Sequence, residues 1–153
     1  MDKSDTLPEN KIGISIRAVD GVVYGLLGGV AMFLSLMALA LLSGEAPGVI
    51  LARFIGGGIT SPMVGLVGHL GVSAIYGVLF GVLIWPVLAR YSSGKISGWL
   101  GGILYGGFLV LLAQIAILPG TNSSLSQFPL WQWALGHGIY GLVLGGLFAR
   151  KAD

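Results

Sequence analysis

Residues 62–88 read PMVGLVGHLGVSAIYGVLFGVLIWPVL, 27 residues without a single Asp, Glu, Lys or Arg. At about 1.5 Å of rise per residue, a helix of that length covers about 40 Å, more than the roughly 30 Å of hydrocarbon in a bilayer. Thr60 or Ser61 followed by Pro62 supplies a start signal, a hydroxyl cap and then proline at the first helical position. Three more uncharged apolar stretches flank this one, Val22–Leu42, Trp99–Leu118 and Leu130–Phe148. Together they predict an all-α polytopic membrane protein: one domain over residues 1–153, built as a four-transmembrane-helix bundle.

Composition agrees. Charged residues are 9% of the chain, against about 25% in a soluble domain. The basic residues stand singly at span ends, so the pI of about 9.1 does not imply nucleic acid as a partner. Cysteine is absent, which excludes disulfides, thiolate metal sites and cysteine nucleophiles. The first apolar stretch is longer than the core of a signal peptide and is expected to be a retained helix.

With four spans, residues 1–19, the loop after span 2 and the residues after span 4 share one side. That side carries Lys3, Lys11, Arg17, Arg90, Lys95, Arg150 and Lys151, and the other only Arg53. The positive-inside rule then places both termini in the cytoplasm. Trp85 and Trp99 fall at the inner interface and Trp131 and Trp133 at the outer one. Residues 1–19 read as an extended or interfacial cytoplasmic arm, because Ile12, Ile14 and Ile16 alternate with small or polar residues, and Asp20 reads as a cap for span 1. In the loop 43–61, Val49–Ile55 is too short to cross and is expected along the interface, with Arg53 among the headgroups; the alternative is a re-entrant turn, whose backbone would need burial in protein.

Every span carries a Tyr-Gly pair: Tyr24-Gly25, Tyr76-Gly77, Tyr105-Gly106 and Tyr140-Gly141. Small residues recur at spacings of four around them: Gly21/Gly25/Gly29, Ser73/Gly77/Gly81, Gly98/Gly102/Gly106 and Gly141/Gly145. Residues four apart share a helix face, and glycine there lets two backbones approach closely. Close helix packing, with the tyrosines filling space beside glycine grooves, is preferred to a ligand or quinone groove lined by those tyrosines.

The two histidines, His69 and His137, lie about seven residues from the outer ends of spans 2 and 4, which run in the same direction. Tyrosine follows at seven residues in one and three in the other, on the same face in both, and Gly77 and Gly145 each follow by eight. This suggests a duplicated two-helix unit. Ser35 and Gln114 fall in the same outer half, and polar groups at that depth usually face the bundle interior. Two readings stay open for this cluster. One is interhelical hydrogen bonding, which is preferred. The other is a b-type haem held by His69 and His137. No metal site of protein ligands alone is expected from two histidines.

The spans contain no carboxylate, no His-Glu-x-x-His and no nucleophile elbow, so an enzyme is not expected. The run His137–Gly146, His-x-x-Tyr-Gly-x-x-x-Gly-Gly, with a looser echo from His69 to Gly81, resembles a pattern in small bacterial four-helix membrane proteins of unknown function. The resemblance covers the spans and not the loops. It implies a bacterial cytoplasmic (inner) membrane location and brings no activity. The expected role is a non-catalytic integral subunit in the lipid bilayer, packed against other membrane subunits or copies of itself in an assembly of respiratory or photosynthetic type. A haem electron carrier and a small-solute channel or transporter are the rivals.

Overall fold

The computed structural model describes residues 9–55, 61–91, 95–120 and 124–151, with side chains from Gly13 onward and that of Lys95 left aside. These residues are helical throughout, apart from short connections, and contain no strand. Helix α1 spans Glu9–Leu42 and α2 spans Pro47–Ala52. Helix α3, Pro62–Leu79, runs through a π-helical turn, Phe80–Ile84, into α4, Trp85–Tyr91. Helix α5, Lys95–Leu112, is followed by a second π-helical turn, Ala113–Ile117, and by 3₁₀ turns at Leu118–Gly120 and Ser124–Gln127. Helix α6 spans Leu130–Lys151.

Three segments are long and apolar enough to cross a membrane: Gly13–Leu42, Pro62–Tyr91 and Ile96–Gly120, of 30, 30 and 25 residues. Helix α6, with 22 residues, has the length but less apolarity, since it carries Gln132, His137, Arg150 and Lys151. The expectation of four equivalent spans is therefore met by three. The fourth differs for a packing reason. Helix α6 lies between α5 and α1 and buries Gly136, Tyr140, Leu144 and Phe148, so its neighbours cover a surface that lipid would otherwise have to cover.

The glycine spacings predict the contacts. In the α1–α3 pair, Gly21 faces Gly77 and Gly25 faces both Ser73 and Gly77. In the α5–α6 pair, Gly98 faces Gly145, Gly102 faces Gly141, and Gly106 faces the His137 backbone. Both pairs are antiparallel, because rising numbers on one helix meet falling numbers on the other. The contact is close: a Cβ on Gly102 would run into the Gly141 carbonyl, and one on Gly141 into the Gly102 carbonyl. Such proximity gives dispersion contact along two backbones, the form of attraction available where lipid removes the hydrophobic one. Gly81 meets the Phe148 ring and the Arg17 carbonyl.

Both π turns lie just before a proline. Pro86 and Pro119 have no N–H to give the carbonyl four residues back. The helix widens instead, and the N–H of Trp85 reaches the Phe80 carbonyl while that of Leu118 reaches the Ala113 carbonyl. The first wide turn seats Phe80 at the centre of the molecule, fully buried. Its ring lies 5.2 Å from Tyr105 and 5.6 Å from Phe148, and Phe148 in turn meets Trp85 and the edge of Tyr24.

At the amino-terminal side the structure departs from expectation. From Glu9 on, the arm is α-helix, continuous with span 1, because no proline or glycine pair interrupts it after Pro8. Ile14, Ile16 and Val19 are exposed on it. Asp20 consequently sits inside a helix and caps nothing. Its carboxylate instead accepts two bonds from Lys151 Nζ, at 2.6 and 2.7 Å, tying α1 to the last turn of α6.

Candidate functional site

Both histidines line one chamber of about 460 Å³. Met32 and Leu36 of α1, Leu109 of α5 with Ala113 of the π turn after it, and the histidine-bearing faces of α3 and α6 form its walls. Tyr76 lies toward the centre of the molecule. Phe54, Leu125 and Phe128, from the two connections at the other end, close over it.

Each histidine is held by a backbone carbonyl. His69 Nε2 lies 3.3 Å from the Gly29 oxygen across the α1–α3 seam, and His137 Nδ1 lies 3.0 Å from the Trp133 oxygen one turn back on α6. A carbonyl only accepts, so the facing nitrogen carries the proton and the other keeps its lone pair. His69 thus retains an acceptor at Nδ1 and His137 at Nε2. Aromatic rings fix both imidazoles: Phe54 meets His69 edge-on at 5.7 Å, and Trp133 stacks on His137 at 5.2 Å.

The cap over the chamber includes residues 47–55, which take the inward of the two placements expected for this loop. Helix α2 and the turn after it bury Ile50 and Phe54, and Gly65 makes room for the Phe54 backbone against α3. Arg53 is held within the protein. Its side chain is 13% exposed, ion-paired with Glu45 at 3.2 Å, and its guanidinium lies 4.7 Å above the centre of the Phe128 ring. The Ser124 N–H donates to the Ile55 carbonyl at 3.3 Å and joins the two connections. Arginine is suited to this place because its flat, weakly hydrated group pairs with a carboxylate and stacks on an aromatic face at once.

The other expected polar residues lie elsewhere. Ser35 is outside the chamber wall and returns its hydroxyl to the Ala31 carbonyl at 2.7 Å, within its own helix. Gln114 is half-exposed in the second π turn and also outside the wall. The polar residues that accompany the histidines are Gln132, Trp133 and Tyr76. Gln132 is 8% exposed, and among the described residues neither its Oε1 nor the Trp133 Nε1 has a hydrogen-bond partner. Sequence reading missed Gln132 because it stands between two tryptophans taken as an interface belt. The available signal was its register: Gln132, Gly136 and Tyr140 are four apart and share the buried face of α6.

The hydroxyls elsewhere are structural. Tyr140 donates to the Ser73 carbonyl at 2.7 Å, Tyr105 to the Tyr76 carbonyl at 2.9 Å, and Ser73 to the His69 carbonyl at 2.8 Å. Among the described residues no three His, Cys, Asp or Glu side chains cluster to hold a metal ion. What the chamber offers chemically is an apolar, aromatic-walled volume with two neutral imidazole acceptors, an indole donor and an amide. The chain matches no known family model, no curated protein and no solved structure.

Proposed function

We propose that this chain is a small, non-catalytic integral membrane subunit that crosses a bacterial cytoplasmic membrane four times, both termini on the cytoplasmic side, and acts by association with other membrane subunits or with copies of itself. The observation that carries the reading is a set of glycines the fold itself does not use. Gly71 on α3, Gly107 on α5 and Gly138 on α6 lie inside helices, yet a Cβ on any of them would meet open space. Glycine in a helix interior costs about 1 kcal/mol relative to alanine. The seams of the molecule account for Gly77, Gly102 and Gly141, and an outside helix approaching closely accounts for Gly71 and Gly107, which are exposed. The seven-to-one distribution of basic residues supports the orientation.

The test is migration on a native gel after extraction in mild detergent. Assembly predicts a species well above 15.8 kDa plus its detergent, shifted downward by Gly71→Leu or Gly107→Leu. A small monomer with no co-purifying protein overturns it. A reporter fused after Asp153 and active only on the outer face overturns the orientation.

One observation favours a second reading, a haem b carrier: His69 and His137 line the same chamber. Ligation through the usual Nε2 would require His69 to leave the Gly29 carbonyl. A Soret band in the purified protein, lost in His137→Ala, would promote this reading over the first.

A further inference from the structure

We infer that the chamber binds a lipid-soluble hydroquinone, a flat ring bearing two hydroxyl groups, that enters sideways from the bilayer between α3 and α5. Three observations converge on it.

The first is the opening. Helices α3 and α5 barely touch, their packing being against α1 and α6 respectively. Their bridge, the bond from Tyr105 Oη to the Tyr76 carbonyl, lies at the inner limit of the chamber. Beyond it, Val72 and Gly68 on α3 and Ile117 in the π turn after α5 each line the chamber and reach the outer surface of the molecule. That leaves a gap flanked by apolar side chains and by a glycine, at a level where lipid chains would lie. An apolar tail can remain in the bilayer while a headgroup sits inside.

The second is size and lining. A volume of about 460 Å³ lies in the range of small-molecule pockets, and its walls are aliphatic and aromatic. Among the described residues the lining carries no Asp, Glu, Lys or Arg, and Arg53 above it is ion-paired with Glu45 through Nη2. A neutral, ring-shaped occupant fits that lining, and a phosphate headgroup does not.

The third is hydrogen-bond polarity. Each imidazole donates one N–H to a backbone carbonyl, which leaves the other nitrogen of the neutral ring as an acceptor. Two acceptors on chamber-lining rings match two hydroxyl donors. Gln132 also lines the chamber, and among the described residues its buried amide oxygen has no partner. An oxidised quinone has no proton to give and leaves both imidazole nitrogens unmet.

The experiment uses the full chain in phosphatidylethanolamine–phosphatidylglycerol nanodiscs under anaerobic conditions. It measures retention of 2-decylhydroquinone, and of the corresponding quinone, above that of empty nanodiscs. Binding should saturate at one molecule per chain, with the quinone at least about tenfold weaker, the scale of one lost buried hydrogen bond. His137→Leu and Gln132→Leu should each weaken it about tenfold, and Val72→Trp, a surface substitution at the opening, should abolish or greatly slow it. Among the described residues the Gln132 oxygen has no partner to lose, so Gln132→Leu stays informative if His137→Leu misfolds. Retention equal to empty nanodiscs, equal affinity for the quinone, or full affinity in both Gln132→Leu and Val72→Trp overturns the inference. The outcome is independent of the assembly reading: a monomer that retains the probe sinks only assembly, and an oligomer that ignores it sinks only the chamber's assignment.

Discussion

The Tyr140 hydroxyl on α6 donates to the Ser73 carbonyl on α3 at 2.7 Å, reaching across a helix pair that otherwise has little contact. Gly28 of α1 makes the passage possible, since the ring lies where a Cβ would stand. One phenol thus joins the α1–α3 seam to the α5–α6 seam. Removing the hydroxyl alone, in Tyr140→Phe, should lower stability by about 0.6 to 1.5 kcal/mol, the range for hydrogen bonds between helices in apolar surroundings. Tyr140→Ala also empties a buried ring volume and should cost about 3 to 5 kcal/mol. Unfolding in mixed micelles with increasing dodecyl sulfate measures both, and equal losses for the two variants would contradict the bond's role.

Glycines of the same residue type should respond with opposite signs. Gly141→Ala drives a methyl into the Gly102 carbonyl and should destabilise by about 1 to 3 kcal/mol, as overpacking does. Gly107→Ala meets nothing within the molecule and should stabilise the isolated chain by up to about 1 kcal/mol through helix propensity. Thermal unfolding in detergent, on matched samples, separates the two. Losses of similar size at both positions would mean that the seam does not have the register described.

Gln132 gives a third expectation. Its buried amide oxygen has no partner among the described residues, so Gln132→Leu should raise the stability of the ligand-free chain by about 1 to 3 kcal/mol. The same unfolding assay reads it. A marked loss would reveal a bond at this side chain that the fold depends on.

The link between Lys151 and Asp20 predicts a pH dependence. Accepting bonds from the ammonium, the Asp20 carboxylate raises the Lys151 pKa above its ordinary 10.5. The folded state therefore holds this proton more tightly than the unfolded one. The link's contribution is complete below pH 10.5 and declines as pH rises through the elevated value. Lys151 is exposed, so the effect should be small. Asp20→Asn should remove it, seen as a flatter melting-temperature profile above pH 10.5 and little change at pH 7.

Much of this fold was legible because the bilayer leaves so few options. The glycine spacings around Tyr24-Gly25 and Tyr105-Gly106 specified which faces meet, and the shared depth of His69 and His137 anticipated their common chamber. Ser35 was misleading because a serine hydroxyl can satisfy itself on the carbonyl one turn back, so its polarity carries no information about direction. Gln114 was misleading because the wide turn that contains it alters the helical phase on which a face assignment depends. The inward placement of α2 was legible only as the second of two alternatives. Arg53 suggested water, and only the three-dimensional meeting with Glu45 and Phe128 neutralises it.

The modest apolarity of α6 bears on biogenesis. A helix carrying Gln132 and His137 gains less from lipid than the three before it, so in a chain that crosses as proposed it would be admitted as the second arm of a hairpin. Helix α5 would be its template, with Gly98, Gly102 and Gly106 offering a ready groove as it leaves the ribosome. Damage to that groove would then be felt first as failed integration of the carboxy-terminal arm, and as degradation of the nascent protein, before any mature copy existed to be weakened.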